Sequence, residues 1–147
     1  MNRAPKAGAW PIPNGIPVCD AMLRDPKVLG PATTVAQVRA FFDNDYVHAA
    51  LLVDRGRLLS VVEPADLIGS RLSSRAVTVG RLPGRVIQPD ADLATTWEAM
   101  TAHALRRLAV MDSRGVFFGL LCPKRSGRGC CTDTDVRTRK HERSTVG

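Results

Sequence analysis

Two stretches of the chain share one rhythm of apolar positions. In the first, TTVAQVRAFFDNDY sets Val35, Val38, Phe41 and Phe42 at helical spacing, so the pattern predicts an amphipathic α-helix. HAALLVDRGRLLSVVEPADLIG follows as two apolar runs around a turn, which predicts strand, turn, strand and a closing helix. In the second, ADLATTWEAMTAHALRRLAVMDSRGVFFGLL repeats the order: Leu93, Trp97 and Met100 line a helical face, LAVMD reads as a strand, and DSRG turns it into VFFGLL. The copies align with Asp54 on Asp112, Gly56 on Gly115, Pro31 on Pro89 and Val35 on Leu93. Asp and Gly recur in turns for local hydrogen bonding and positive φ, so that pair alone is open to convergence. The matching strands and helices around it point to an internal repeat. After Leu121 the second copy departs, because CPKRSGRGCC at 122–131 intervenes before TDTDV, which lies over EPADL of the first copy. A Gly, Ser and Arg-rich insertion at a strand-to-helix junction predicts a lengthened loop or hairpin.

The remaining segments are of another kind. Residues 1–17 carry four prolines and two glycines without apolar periodicity and read as an extended arm, and 139–147 read as a basic tail. Between them the repeats occupy 18–76 and 77–138. A chain of 147 residues, 44% hydrophobic and 24% charged, fits one domain or two small repeats sharing a core, and excludes most multidomain enzymes. No apolar run is long enough to span a bilayer and no secretory h-region opens the chain, so a soluble cytoplasmic protein is expected, with no membrane partner.

Charge and cysteines narrow the chemistry less. The net charge of +7 attracts anions of any kind, from nucleotide phosphates to nucleic acid. Aromatic residues are only 5%, a poor supply for stacking single-stranded bases. Cys122, Cys130 and Cys131 with His141 could be drawn as a zinc site, but no CxxC pair is present and adjacent cysteines chelate awkwardly, so no metal is expected. Reduced thiols are expected rather than a disulfide framework. No Ser/His/Asp or Cys/His arrangement stands out among the three histidines, and phosphate-loop and GxGxxG patterns are absent, so an enzyme is not expected.

The order V-x-D-x-M, helix, strand ending in Asp, turn with Gly, apolar strand, then T-x-x-D resembles the cystathionine-β-synthase (CBS) domain. The matching pieces are Val18-Cys19-Asp20-Ala21-Met22 and LLVDRGRLLSVVEPADL in the first copy, and LRRLAVMDSRGVFFGLL with Thr132-Asp133-Thr134-Asp135 in the second. The resemblance implies an α/β fold in which two tandem CBS repeats pack sheet to sheet about a pseudo-twofold axis, a Bateman module with two clefts. It further implies a stand-alone regulatory module that binds AMP, ADP or ATP, with S-adenosylmethionine as another ligand, and signals to a partner protein. The rival class is a basic nucleic-acid or protein interaction module with vestigial clefts, in which Arg125, Arg128, Arg137, Arg139 and Arg143 contact a phosphate backbone.

By the resemblance, the Asp opening the last helix holds the ribose and the hydroxyl residue three positions earlier contacts phosphate. Asp135 and Thr132 take those roles in the second copy. Physical chemistry allows both, since a carboxylate accepts from a vicinal diol while a hydroxyl at a helix N-terminus suits an anion; the same residues also serve as ordinary helix caps. The first copy has Asp66 at the ribose position but Glu63 in place of the hydroxyl, and a carboxylate repels a phosphate, so unequal occupancy is expected. Basic residues before the central strand reach phosphates in related modules: Arg106 and Arg107 stand there in the second copy and His48 in the first. Val28 and Leu29, and Val86 and Ile87, fall where relatives wall the base, although core strands need no ligand to explain them. A homodimer is expected from the apolar helical faces.

Overall fold

The computed structural model describes residues 12–43 and 49–123, and within them each repeat builds the same unit. Helix α1 (Val35–Phe41) starts at Thr34, whose hydroxyl accepts from the Gln37 N–H at 3.2 Å while the Gln37 side chain accepts from the Thr34 N–H at 2.8 Å. This reciprocal cap satisfies two amides that a helix start leaves without partners. Helix α2 (Leu93–Ala102) starts at Asp92, whose carboxylate accepts from the Thr95 N–H at 3.0 Å. Of the predicted inward positions, Val35, Val38, Leu93 and Met100 are buried, whereas Phe41, Phe42 and Trp97 are half-buried.

Strands β1 (Ala50–Asp54) and β2 (Arg57–Val62) form an antiparallel hairpin with Ala50 opposite Val62. In the second repeat β3 (Val86–Ile87) pairs in parallel with β4 (Leu108–Met111), which pairs antiparallel with β5 (Phe117–Leu121). Leu29 makes a single parallel bridge to Leu52, occupying in the first repeat the place of β3 in the second. The first hairpin turns on Arg55 (φ 53°) and Gly56 (φ 79°), both left-handed, the geometry that matches the twist of the flanking strands. The second turns on Asp112, whose Oδ1 accepts from the Arg114 and Val116 amides at 2.9 Å each.

The two repeats exchange their leading segments. A 3-10 turn at Val18–Asp20 opens the first, and another at Ala76–Thr78, starting one residue before the boundary read from the sequence, opens the second. Val18 is buried with Leu93, Met100, Leu108, Val110 and Leu121 of the second repeat, whereas Ala76 is buried with Val35, Val38, Ala50, Leu52 and Val62 of the first. The backbone follows the same exchange: the Val18 amide donates to Ala91 O and the Ala76 amide to Thr33 O, both at 2.8 Å. Between the sheets lies a third apolar cluster centred on Leu51, Leu58, Val61 and Ala109. The hairpin turns are bonded to each other, Leu58 N–H to Gly115 O at 3.0 Å and Phe117 N–H to Gly56 O at 2.8 Å, so equivalent parts of the repeats meet about a pseudo-twofold relation.

The expected closing helix of the first repeat is not formed. It is one 3-10 turn, Pro64–Leu67, after which Ile68 is extended and Gly69 takes φ 78°. Pro64 can start such a turn, but Asp66 folds back to accept from the Glu63 N–H at 2.8 Å, and the left-handed glycine ends it. The valines of α1, with Leu93 and Met100 of α2, are covered by the chain's own cores, so these buried positions do not require a second copy. Among the described residues no helix is long and apolar enough to cross a membrane.

Candidate functional site

A cavity of about 300 Å³ opens in the second repeat between α2, β3 and the start of β4. Ile87, Ala91, Ala99, Met100, Leu105 and Leu108 supply carbon walls, and Asp92, Thr95 and Thr96 supply its polar atoms. Those polar atoms are engaged. Asp92 accepts from the Gly15 N–H at 2.8 Å through Oδ1 and from the Thr95 hydroxyl at 2.9 Å through Oδ2, and the Thr96 hydroxyl donates to Asp92 O at 2.8 Å. The Gly15 and Thr95 bonds hold the Asp92 carboxyl below its ordinary range, since each favours the anion. The cavity's lining is largely apolar, and its size lies at the lower end for small-molecule sites.

Of the residues expected to contact a nucleotide, Ile87 lines this cavity. Leu105 and Leu108 both line the cavity, but Arg106 and Arg107, which lie between them in the sequence, are not among its lining residues, Arg106 being exposed and Arg107 half-buried. Arg107 donates from Nη1 to Arg106 O at 2.9 Å, which curls one guanidinium against the connecting loop. Val86 goes elsewhere: it packs against the cluster between the sheets. In the first repeat Leu29 packs on the α1 core while Val28 remains exposed. Thr132, Asp135 and His48 lie outside the described residues, as do Cys130, Cys131, His141 and the arginines of the insertion and tail. Cys122 is buried, and no cluster of three metal-ligating side chains occurs among the described residues.

Asp66 is already paired. Arg85, 7% exposed, donates from Nη1 to Asp66 Oδ2 at 2.5 Å and from Nη2 to Asp66 Oδ1 at 3.1 Å, and its Nη1 also reaches Val61 O at 2.8 Å. Glu63 Oε1 lies 3.1 Å from the same guanidinium. Burial pushes the Asp66 carboxyl up, but the Arg85 hydrogen bond, the Glu63 amide and the charges of Arg85 and Arg81 outweigh it, leaving Asp66 below the usual range. Asp66, expected to hold a ribose, and Glu63, expected to repel a phosphate, instead face an arginine from the other repeat. Composition alone does not single out Arg85, but the repeat alignment does hold a signal: Arg85-Val86-Ile87 lies over Lys27-Val28-Leu29, so a cation opens the same short strand in both copies.

Comparison with known proteins supports this architecture. The family model described as CBS domain matches residues 18–73. No curated protein matches the chain. Among solved structures, the acetoin utilization protein AcuB from Vibrio cholerae aligns with a TM-score of 0.63 at 20% identity, covering 89% of this chain and 94% of that one. CBSX2, solved in complex with AMP, aligns with a TM-score of 0.62 at 20% identity over 88% of this chain and 99% of its own. A CBS domain protein from Pyrobaculum aerophilum complexed with AMP aligns with a TM-score of 0.59 at 22% identity, covering 76% and 95%.

Proposed function

We propose that the chain, whose residues 18–73 match the CBS domain family, is a pair of CBS repeats forming a regulatory module that binds an adenine nucleotide in its second repeat and signals the occupancy to a partner protein. The observation that carries this reading is the apolar cavity beside α2, walled by Ile87, Leu105 and Leu108, with Arg106 and Arg107 following Leu105 in the sequence. A purine ring suits such walls and phosphates suit guanidinium groups. The AMP complexes of two structural neighbours favour the same ligand class. In this reading Asp135 accepts from the ribose and Thr132 contacts phosphate, roles drawn from the family resemblance. The first repeat contributes little, because both oxygens of Asp66 are taken by Arg85.

A thermal-shift panel of AMP, ADP, ATP, NADH and S-adenosylmethionine tests the proposal. A ligand at about 100 times its Kd stabilises by roughly 2.7 kcal/mol, which raises the midpoint by about 5 to 10 °C. Asp135→Ala should abolish the shift, while Asp66→Ala should keep most of it relative to that variant's own ligand-free midpoint. If no adenine compound moves the midpoint, the nucleotide reading fails.

A further inference from the structure

The turns that join the repeats carry a surface the nucleotide reading does not use. Arg57 pairs with Val116, and the bonds from Leu58 N–H to Gly115 O and from Phe117 N–H to Gly56 O fix an antiparallel register between the hairpins. Those bonds bring Leu59 near Arg114 and Phe118 near Arg55, each one residue along the chain from a bonded partner. Both apolar residues are turned out by equivalent irregularities: the β1–β2 pairing skips Leu59 and the β4–β5 pairing skips Phe118. Such bulges re-aim side chains, and here they leave Leu59 and Phe118 39% and 38% exposed. Arg55, Arg57 and Arg114 are exposed as well, and among the described residues none of their side chains has an ion-pair partner. Nearby, Asp112 turns its Oδ1 into its own loop, which leaves Asp54 as the exposed carboxylate of the turns. Arg55 holds a left-handed backbone at φ 53°, where Gly or Asn would be comfortable, so a long cationic side chain stands at a position disfavoured for it.

We propose that the edge formed by Arg55, Arg57, Leu59, Arg114 and Phe118 docks an acidic segment of a partner protein that carries apolar side chains between its carboxylates. The edge spans one end of β2 and the two adjoining turns, which suits a short segment. Guanidinium groups pair with carboxylates as forks, and the bulged Leu59 and Phe118 give the apolar side chains a seat. A second copy of this chain would bring three arginines against three arginines. A nucleic acid strand would find one aromatic ring to stack on.

Fluorescence anisotropy of a short labelled peptide alternating Asp or Glu with Leu or Phe tests this, beside a peptide of equal charge with Ser at the apolar positions and an oligo-dT strand of equal charge. The acid–apolar peptide should bind, and both the combination Arg55→Asn, Arg57→Gln, Arg114→Gln and the combination Leu59→Ser, Phe118→Ser should weaken it at least about tenfold. Should a combination melt before the assay temperature, Arg114→Gln and Leu59→Ser as single changes give the same reading. Absence of peptide binding, binding indifferent to these changes, equal binding of the Ser peptide, or tighter binding of oligo-dT through the three arginines overturns the proposal. None of these readouts involves a nucleotide, so its failure is separable from that of the nucleotide site.

Discussion

Arg85 and Asp66 are the residues whose roles depend most on what surrounds them. Replacing one partner of a largely buried pair leaves the other charge uncompensated, so Asp66→Asn should cost about 3 kcal/mol at pH 7, with Glu63 holding the loss toward the low end. Because the folded pKa is depressed, this contribution is present above the ordinary value near 3.8 and disappears as pH falls through the lower folded value. Urea denaturation of both proteins between pH 7 and pH 2.5 should show the difference closing only at the acid end; a gap that closes near pH 6 would assign it to another group. Gly119 is a second such residue. A Cβ there would run into the carbonyl oxygen of Leu23 and approach the Met22 sulfur at 3.0 Å, and the carbonyl belongs to backbone that cannot swing away. Gly119→Ala should therefore destabilise by about 1 to 3 kcal/mol, and a melting temperature equal to the parent's would disprove the close approach.

At the scale of elements, α1 and α2 differ in how they are started. The Thr34–Gln37 reciprocal cap serves α1 alone, a helix of only 7 residues that could not persist in isolation. Thr34→Ala should cost about 1 kcal/mol, with faster hydrogen exchange at the Gln37 and Val38 amides before any change in α2. Asp92 does more than cap α2, since it also fixes Gly15 of the incoming arm and lines the cavity. The helix that the first repeat lacks shows the limit of element-level patterns. EPADLIG carries Pro at the start and apolar residues at workable positions, but Asp66 is recruited by Arg85 and Gly69 turns the chain away.

The whole molecule is two interdependent halves, because each repeat lends its leading segment to the other. Removing residues 12–23 should strip Val18 and Leu23 from the second repeat, which houses the cavity, and leave the β1–β2 hairpin with its own core. Hydrogen exchange in that deletion variant should rise in β4 and β5 well before β1 and β2. Uniform acceleration would mean the halves fold as one unit, and faster exchange confined to β1 and β2 would reverse the assigned exchange. The charge distribution also belongs to this scale: nine of the 21 Lys and Arg residues fall in 1–11 and 124–147, outside the described residues.

The sequence by itself determined the duplication, both helices with their buried faces, the hairpins turning at Asp54–Gly56 and Asp112–Gly115, and the family resemblance, because these depend on spacing and turn chemistry within a dozen neighbouring residues. It also named Ile87, which lines the cavity. Tertiary structure alone decided the rest. Val18 entering the second core, Arg85 reaching 19 residues back to Asp66, and Arg57 meeting Val116 across the joined turns are contacts between segments far apart in the chain. Such contacts leave no periodicity in the sequence, since what fixes them is which buried charge needs a partner and which core needs filling once the two halves have come together.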